Sequence, residues 1–255
     1  MRYKLKKINN TYQLGKRYLN DFFHTDAYNK NVIEKGKTPS RTDVINYLVS
    51  KFNREVHYLE IGVRYPDHNF NKINAKFKYS VDPGVENKAN PVKFKLTSDE
   101  FFSELKSNKI LITNNKFDII FIDGLHQANQ VERDILNSLE FLSEDGFIIV
   151  HDCNPPTESH ARETYEYVLS PSGGSWNGTT WKAFYKFRKS TTFFSCCIDS
   201  DWGIGIISKK IKLGEPTKIN NPFFEFQIFD KNRVKSLNLI SFENFMRILE
   251  INTKS

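Results

Sequence analysis

From residue 56 onward, short uninterrupted apolar runs alternate with amphipathic stretches, and that alternation sets the expected architecture. The runs at 56–61, 77–81, 117–122 and 147–150 lack the strict apolar-polar alternation of a half-exposed sheet, so they predict strands covered on both faces. Between the last two lies the strongest helical pattern of the chain, 127–142, where Ala128, Val131, Ile135, Leu139 and Leu142 recur every three or four residues. Gly146 is expected to break the chain just before the next strand. Strand, helix and strand at this spacing predict parallel strands joined by crossovers, an α/β doubly wound sheet with helices on both faces. Ligands of such sheets sit at the carboxyl ends of the strands.

The flanks are less regular. Residues 1–50 are polar and irregularly apolar, and end in a helix start. There Pro39, Ser40, Arg41, Thr42 and Asp43 precede Val44, Ile45, Tyr47, Leu48 and Val49, with Ser40 or Thr42 able to cap the exposed amides. Beyond Asp152 the pattern loosens through Pro155 and Pro156, then predicts a helix over 161–169 and a loop through Pro171, Ser172, Gly173 and Gly174. Two further strands, 192–198 and 203–207, are joined by a tight turn at Asp199, Ser200 and Asp201 and should pair antiparallel. An aromatic stretch at 223–229 and a short helix at 242–249 close the chain, and no internal repeat is visible. The expected division is an N-terminal helical segment over 1–50, a core over 51–210, and a C-terminal extension over 211–255 packed on that core.

Composition narrows the class. Hydrophobic residues make up 39% of the 255, with 22 Phe and 11 Tyr, too much core-forming material for a disordered or fibrous chain. No apolar run approaches the length of a membrane helix, and the basic start at residues 1–7 lacks the apolar stretch of a secretory signal, so a soluble cytoplasmic protein is expected. The formal charge is +7, but the lysines are scattered and form no arginine-rich tract, which disfavours a nucleic-acid partner. Cys153, Cys196 and Cys197 show no zinc spacing, and their odd number argues for reduced thiols.

Candidate chemistry gathers just after the apolar runs. Glu60 and Gly62 end the first strand, where a glycine permits a tight turn beside a ligand and a carboxylate can hold its donors; a purely structural turn explains them as well. Asp82 ends the second strand twenty residues after Gly62, where an acidic side chain can accept both hydroxyls of a ribose. Val63, Arg64, Tyr65, Pro66 and Asp67 follow Gly62, so the dinucleotide fingerprint of three glycines is absent, which disfavours NAD and FAD. A nucleoside ligand without phosphates, such as S-adenosylmethionine, needs only the turn and the carboxylate.

The segments YLEIGV (58–63), YSVDPG (79–84), TSDEFF (97–102) and the long block FDIIFIDGLHQANQVERDILNSLEFLSEDGFIIVHDCNP (117–155) together resemble class I S-adenosylmethionine-dependent methyltransferases. The similarity is to the branch of small-molecule and sugar O-methyltransferases; it extends over about residues 40–210 and departs at Tyr65 and Pro66, where many members keep a second glycine. It implies a Rossmann-like seven-stranded sheet whose last strand is antiparallel. It further implies that Glu60 and Gly62 line the methionine end of the cofactor, that Asp82 holds the ribose, and that Ser98 and Asp99 lie near the adenine, with Asp123 also on the cofactor side.

Asp123 and Asp152 should be neighbours at one sheet edge, where two carboxylates repel unless a cation, a proton or an arginine intervenes. Related enzymes place Mg2+ at this point, with Asp123 and Asp152 as ligands; the alternative is that Asp152 caps a turn and Asp123 bonds backbone amides. His151 and His126 flank the pair, and either can act as general base, with His151 preferred; the alternative is a hydrogen-bonded histidine at a strand end. His24, His57, His68 and His160 are read as structural or surface residues.

The segment Trp176, Asn177, Gly178, Thr179, Thr180, Trp181, Lys182 resembles one that borders the acceptor site, many members carrying Asp where Thr179 stands, and its aromatic faces could stack on a sugar. Asp201 is read as shaping the hairpin rather than serving the chemistry. The resulting expectation is an O-methyltransferase acting on a hydroxyl of a sugar, glycan precursor or related small molecule. The alternatives are an RNA or protein methyltransferase and a non-catalytic S-adenosylmethionine-binding module. A homo-oligomer is compatible with all of these.

Overall fold

A computed structural model describes residues 2–112, 116–167 and 169–253. Three helices precede the sheet: α1 (Arg2–Leu19), α2 (Phe22–Gly36) and α3 (Arg41–Val49). Helix α3 starts at the expected place because Ser40 and Asp43 form a reciprocal capping box, the Ser40 amide donating to the Asp43 carboxylate at 2.9 Å. The body then alternates β1 (His57–Ile61), β2 (Phe77–Val81), α4 (Ser98–Lys106), β3 (Phe117–Ile122), α5 (Ala128–Phe141), β4 (Leu142–Val150) and α6 (Thr180–Phe187). The hairpin of β5 (Phe194–Ile198) and β6 (Ile204–Ser208) follows. Then come α7 (Phe226–Lys231), α8 (Arg233–Leu237), β7 (Leu239–Ile240) and α9 (Phe242–Thr253).

The seven strands form one sheet in the order β2-β1-β3-β4-β6-β5-β7. Strands β1 to β4 are mutually parallel, with Leu59 beside both Tyr79 and Ile120, and Ile120 beside Ile148. The antiparallel strand is β6, the last of the 51–210 core, which pairs with β4 on one side and β5 on the other. The two-residue β7 from the C-terminal segment adds a parallel edge to β5.

Both faces of the sheet are covered, which is why its strands read as continuous apolar runs. On one face Leu59, Ile61, Ile120 and Ile148 pack under α4, α5 and α6; on the other Tyr58, Ile119, Phe121 and Ile149 pack under α3 and α9. The C-terminal segment contributes to both layers, with Phe229 and Leu237 in the first and Leu213, Phe245 and Leu249 in the second.

Two local expectations are corrected. No helix forms over 161–169 among the described residues, of which 168 is not one. The Arg162 guanidinium instead donates to the carbonyls of Ser159, Gly173 and Ser175 and to the Ser172 hydroxyl, so the backbone wraps around this side chain. Gly146 does not break the chain before the strand: β4 already begins at Leu142 and runs through it. A Cβ at 146 would stand 2.8 Å from the Asp118 carbonyl oxygen, so the glycine serves the close approach of β3 and β4.

Candidate active site

The parallel strands bring Asp123, at the end of β3, and His151 and Asp152, at the end of β4, to one edge of the sheet, as their spacing implied. Asp152 sits at φ +61°, a left-handed conformation that side chains other than glycine rarely adopt, and it turns its carboxylate back toward Asp123. His126, from the turn after β3, closes the group: its Nε2 lies 3.3 Å from Asp123 Oδ1 and its Nδ1 lies 3.2 Å from Asp152 Oδ2 and 3.1 Å from the Trp176 carbonyl. Both ring nitrogens therefore face acceptor oxygens. A neutral imidazole has one nitrogen without a proton, so this arrangement calls for a second proton or a bound cation.

His151 is 5% exposed and is held from both sides. Its Nδ1 lies 3.1 Å from Asp123 Oδ1 and 3.3 Å from Asp152 Oδ2, while its Nε2 lies 2.9 Å from the Arg41 guanidinium and 3.3 Å from Asp201 Oδ1. Burial opposes its protonation, but Asp152 and Asp123 outweigh burial and lift the imidazole well above its usual range, with Arg41 working against them. His126 is raised in the same way, burial being overcome by Asp152 and Asp123. Burial alone would push Asp123 up; His151, Arg41 and His126 more than reverse this and hold it well below the ordinary carboxylate range.

Arg41 and Asp201 belong to this network, and neither was anticipated from the sequence. The Arg41 backbone amide donates to Asp201 Oδ2 at 2.7 Å, and its side chain reaches Asp201 Oδ1 at 3.4 Å and Asp123 Oδ2 at 3.8 Å. An arginine is thus among the groups that relieve the repulsion between the converging carboxylates. Asp201 was expected only to shape the hairpin. It does so at φ +43°, but it also faces His151 and Arg41, which overcome its burial and hold it down at about 2. The visible clue was the helix start at Ser40, which fixes where Arg41 points; nothing local revealed what it would meet.

On the cofactor side, Gly62 adopts φ +92°, and a Cβ there would lie 2.2 Å from the Asp123 carbonyl oxygen. The approach of β1 to the end of β3 is enough to require a glycine. Glu60 is buried on β1 and already accepts hydrogen bonds from the Tyr58 hydroxyl at 2.5 Å and Asn69 Nδ2 at 2.9 Å; burial pushes its carboxyl up to about 7. Asn69 in turn accepts from the Thr42 hydroxyl, so the segment after Tyr65 and Pro66, which lacks the second glycine, folds into two short 3-10 turns anchored to Glu60 and α3.

Asp82, half-buried at the end of β2, spends one carboxylate oxygen on the Gly84 amide at 2.6 Å; burial raises its carboxyl above the ordinary value. Ser98 and Asp99 open α4 and are tied to α5, Ser98 accepting from Gln130 Nε2 at 3.1 Å and Asp99 pairing with Arg133 at 3.2 Å. They lie apart from the Asp123 cluster, one helix along.

The aromatic segment divides into two roles. Trp176 is half-buried and stacks on His126 with ring centroids 5.1 Å apart, so it forms a wall of the cluster. Trp181 is 1% exposed and packs on Phe229 at 4.4 Å, which makes it core rather than a ligand platform. The Thr179 hydroxyl accepts from the Ala128 amide at 2.8 Å and so fastens this segment to the start of α5. Asn177, buried beside it, donates to Asp152 Oδ1 at 2.7 Å.

Asp123, His126 and Asp152 each place one potential ligand atom within 4.8 Å of the others. Two carboxylates and an imidazole suit a divalent cation of mixed oxygen and nitrogen preference; Mg2+ itself favours oxygen.

The fold is that of a Rossmann-like α/β domain, with polar residues gathered at the carboxyl ends of β1 to β4. Residues 54–153 match the model of the family described as a methyltransferase domain. No curated protein matches the chain. Among solved structures, a Corynebacterium glutamicum protein is 12% identical, covering 80% of this chain and 99% of its own, with a TM-score of 0.43. An O-methyltransferase from Bacillus cereus, in complex with SAH, is 14% identical over 74% of this chain and 90% of its own, also at 0.43. An SAH-bound methyltransferase from Podospora anserina is 14% identical over 79% and 96%, at 0.40. No helix among the described residues is long and apolar enough to cross a membrane.

Proposed function

We propose that the protein transfers the methyl group of S-adenosylmethionine to a hydroxyl of a sugar, a glycan precursor or a related small molecule. The observation that carries this reading is the convergence of Asp123, His126 and Asp152 beside the Gly62 turn, where a cofactor on β1 and β2 would present its methyl group. When bound, S-adenosylmethionine supplies an electrophilic methyl on a sulfonium, so the chain must bind, align and deprotonate the acceptor. Asp82 holds the ribose through the carboxylate oxygen not engaged by Gly84, and Ser98 and Asp99 border the adenine. Gly62 keeps the turn open at the methionine end, and Glu60 fixes the neighbouring segment through Asn69.

His126 is the residue that reaches the acceptor, since it is the more exposed of the two histidines and lies against Trp176; in its neutral form it takes the hydroxyl proton, and Asp123 and Asp152 stabilise the imidazolium that forms. His151, enclosed by Asp123, Asp152, Asp201 and Arg41, is a positioning residue. The Trp176 ring favours an acceptor with an apolar sugar face. A divalent cation held by Asp123, His126 and Asp152 would lower the pKa of an acceptor hydroxyl bound to it.

The test is a screen of nucleotide-activated sugars and glycan fragments with labelled cofactor, scored by the mass gain of one methyl. Turnover should appear with at least one sugar and be lost in His126→Ala. Calorimetry should detect S-adenosylmethionine binding that Asp82→Ala weakens by at least about tenfold, as for a buried hydrogen-bonded ligand contact. Loss of turnover on chelation, with recovery on adding a divalent ion, establishes the metal; unchanged turnover assigns the counter-charge to Arg41 and the two histidines. Absence of any binding heat overturns the reading, and methyl transfer to RNA or protein instead of sugars overturns its acceptor.

A further inference from the structure

Helix α1 leaves its apolar side chains in water. Leu5, Ile8, Tyr12 and Leu19 are 60%, 65%, 63% and 66% exposed. At 3.6 residues per turn they fall within about 60° of one another, forming one stripe along the helix. Phe22 and Phe23, at the start of α2, are also exposed and extend this surface beyond the turn. The helix is tied down at its end, where the Tyr18 hydroxyl donates to the Leu169 carbonyl and the Tyr18 ring lies 4.1 Å from His24. The stripe faces away from any core.

The charges around the stripe have a single sign. Residues 4–19 include five lysines and arginines and no acidic residue. Lys4 and Lys16 border the stripe on its two sides, and Lys6 and Arg17 lie on the opposite face. The carboxylates at the start of α2 are engaged, the capping Asp21 by the Phe23 amide and Asp26 by Lys30 at 3.0 Å. Two copies of this helix laid face to face would set lysines against lysines. A nucleic acid would satisfy the charges but leave the leucine and isoleucine side chains in water. An anionic lipid surface meets both requirements: the stripe enters the acyl boundary while the flanking lysine stems lie along it and their ammonium groups reach the headgroups.

We propose that α1, continued by Phe22 and Phe23, docks the protein in plane on an anionic lipid surface. This rests on no part of the methyl-transfer site and stands or falls separately from it.

The experiment is flotation of the full chain with vesicles of phosphatidylcholine alone and of phosphatidylcholine mixed with phosphatidylserine, at low and high salt. Light scattering and an RNA gel-shift run alongside. The protein should float with the mixed vesicles, much less with phosphatidylcholine alone, and less at high salt. Leu5→Glu with Ile8→Glu, and separately Lys4→Glu with Lys16→Glu, should each weaken binding by about tenfold or more while the circular dichroism spectrum of the folded body is kept. The proposal is overturned if the chain does not float with mixed vesicles or if both variants float like the parent. It is also overturned if, without flotation, the stripe variant disperses a dimer or RNA is bound.

Discussion

Asp134 illustrates how a single buried group can set a pH dependence. It lies on α5 at 1% exposure, and burial pushes its carboxyl up to about 6 against the hydrogen bonds of Ser98 and Gln130. A carboxyl whose folded pKa exceeds its unfolded one favours the fold while protonated. Its contribution is therefore fullest below the ordinary carboxylate value, is lost as pH rises toward about 6, and stays lost above. Asp134→Asn keeps the shape and an acceptor for Gln130 without the charge. Denaturant unfolding at neutral pH should show this variant more stable by about 2 kcal/mol, with a flatter stability profile between pH 4 and 6. A variant no more stable than the parent at pH 7 would show that Asp134 carries no burial penalty.

At the scale of elements, the ends of β1 and β3 meet so closely that Gly62 admits no side chain. Gly62→Ala should destabilise the protein by about 3 kcal/mol or more, read as a fall in melting temperature. The new Cβ would meet the Asp123 backbone, and φ +92° is strained for alanine. The strands were readable because both faces of the sheet are covered: Phe117, Ile119, Ile120 and Ile122 are apolar whichever way they point. Helix α5 was readable because one face packs and the other is wet. The stretch after 161 misled for the opposite reason. Its local pattern suits a helix, but the Arg162 carbonyl is taken by the Trp176 indole and the Arg162 side chain by the loop at 172–175. Tertiary bonds there override propensity.

For the whole molecule, the C-terminal residues 211–253 are part of the body. Leu213, Phe229, Leu237, Phe245 and Leu249 are almost fully buried, and Arg188, itself buried, donates to the Glu215 carbonyl. At about 1.5 kcal/mol per buried side chain, these five alone contribute about 8 kcal/mol, comparable with the total stability of a typical domain. A chain ending at residue 210 should therefore fail to fold, seen as loss of a cooperative melt; a truncated chain that melts like the full one would show the extension to be dispensable. The candidate site was legible to the same degree as its strands. Asp123, His126, His151 and Asp152 stand at strand ends that the apolar runs announce, so their meeting followed from topology. Arg41 and Asp201 enter from outside that pattern, through contacts between distant parts of the chain.

The bond from the Arg41 amide to Asp201 spans 160 residues, and the contact of its guanidinium with His151 spans 110. During synthesis α3 leaves the ribosome long before the hairpin that anchors it. The polar cluster is completed only once the hairpin that carries Asp201 has emerged.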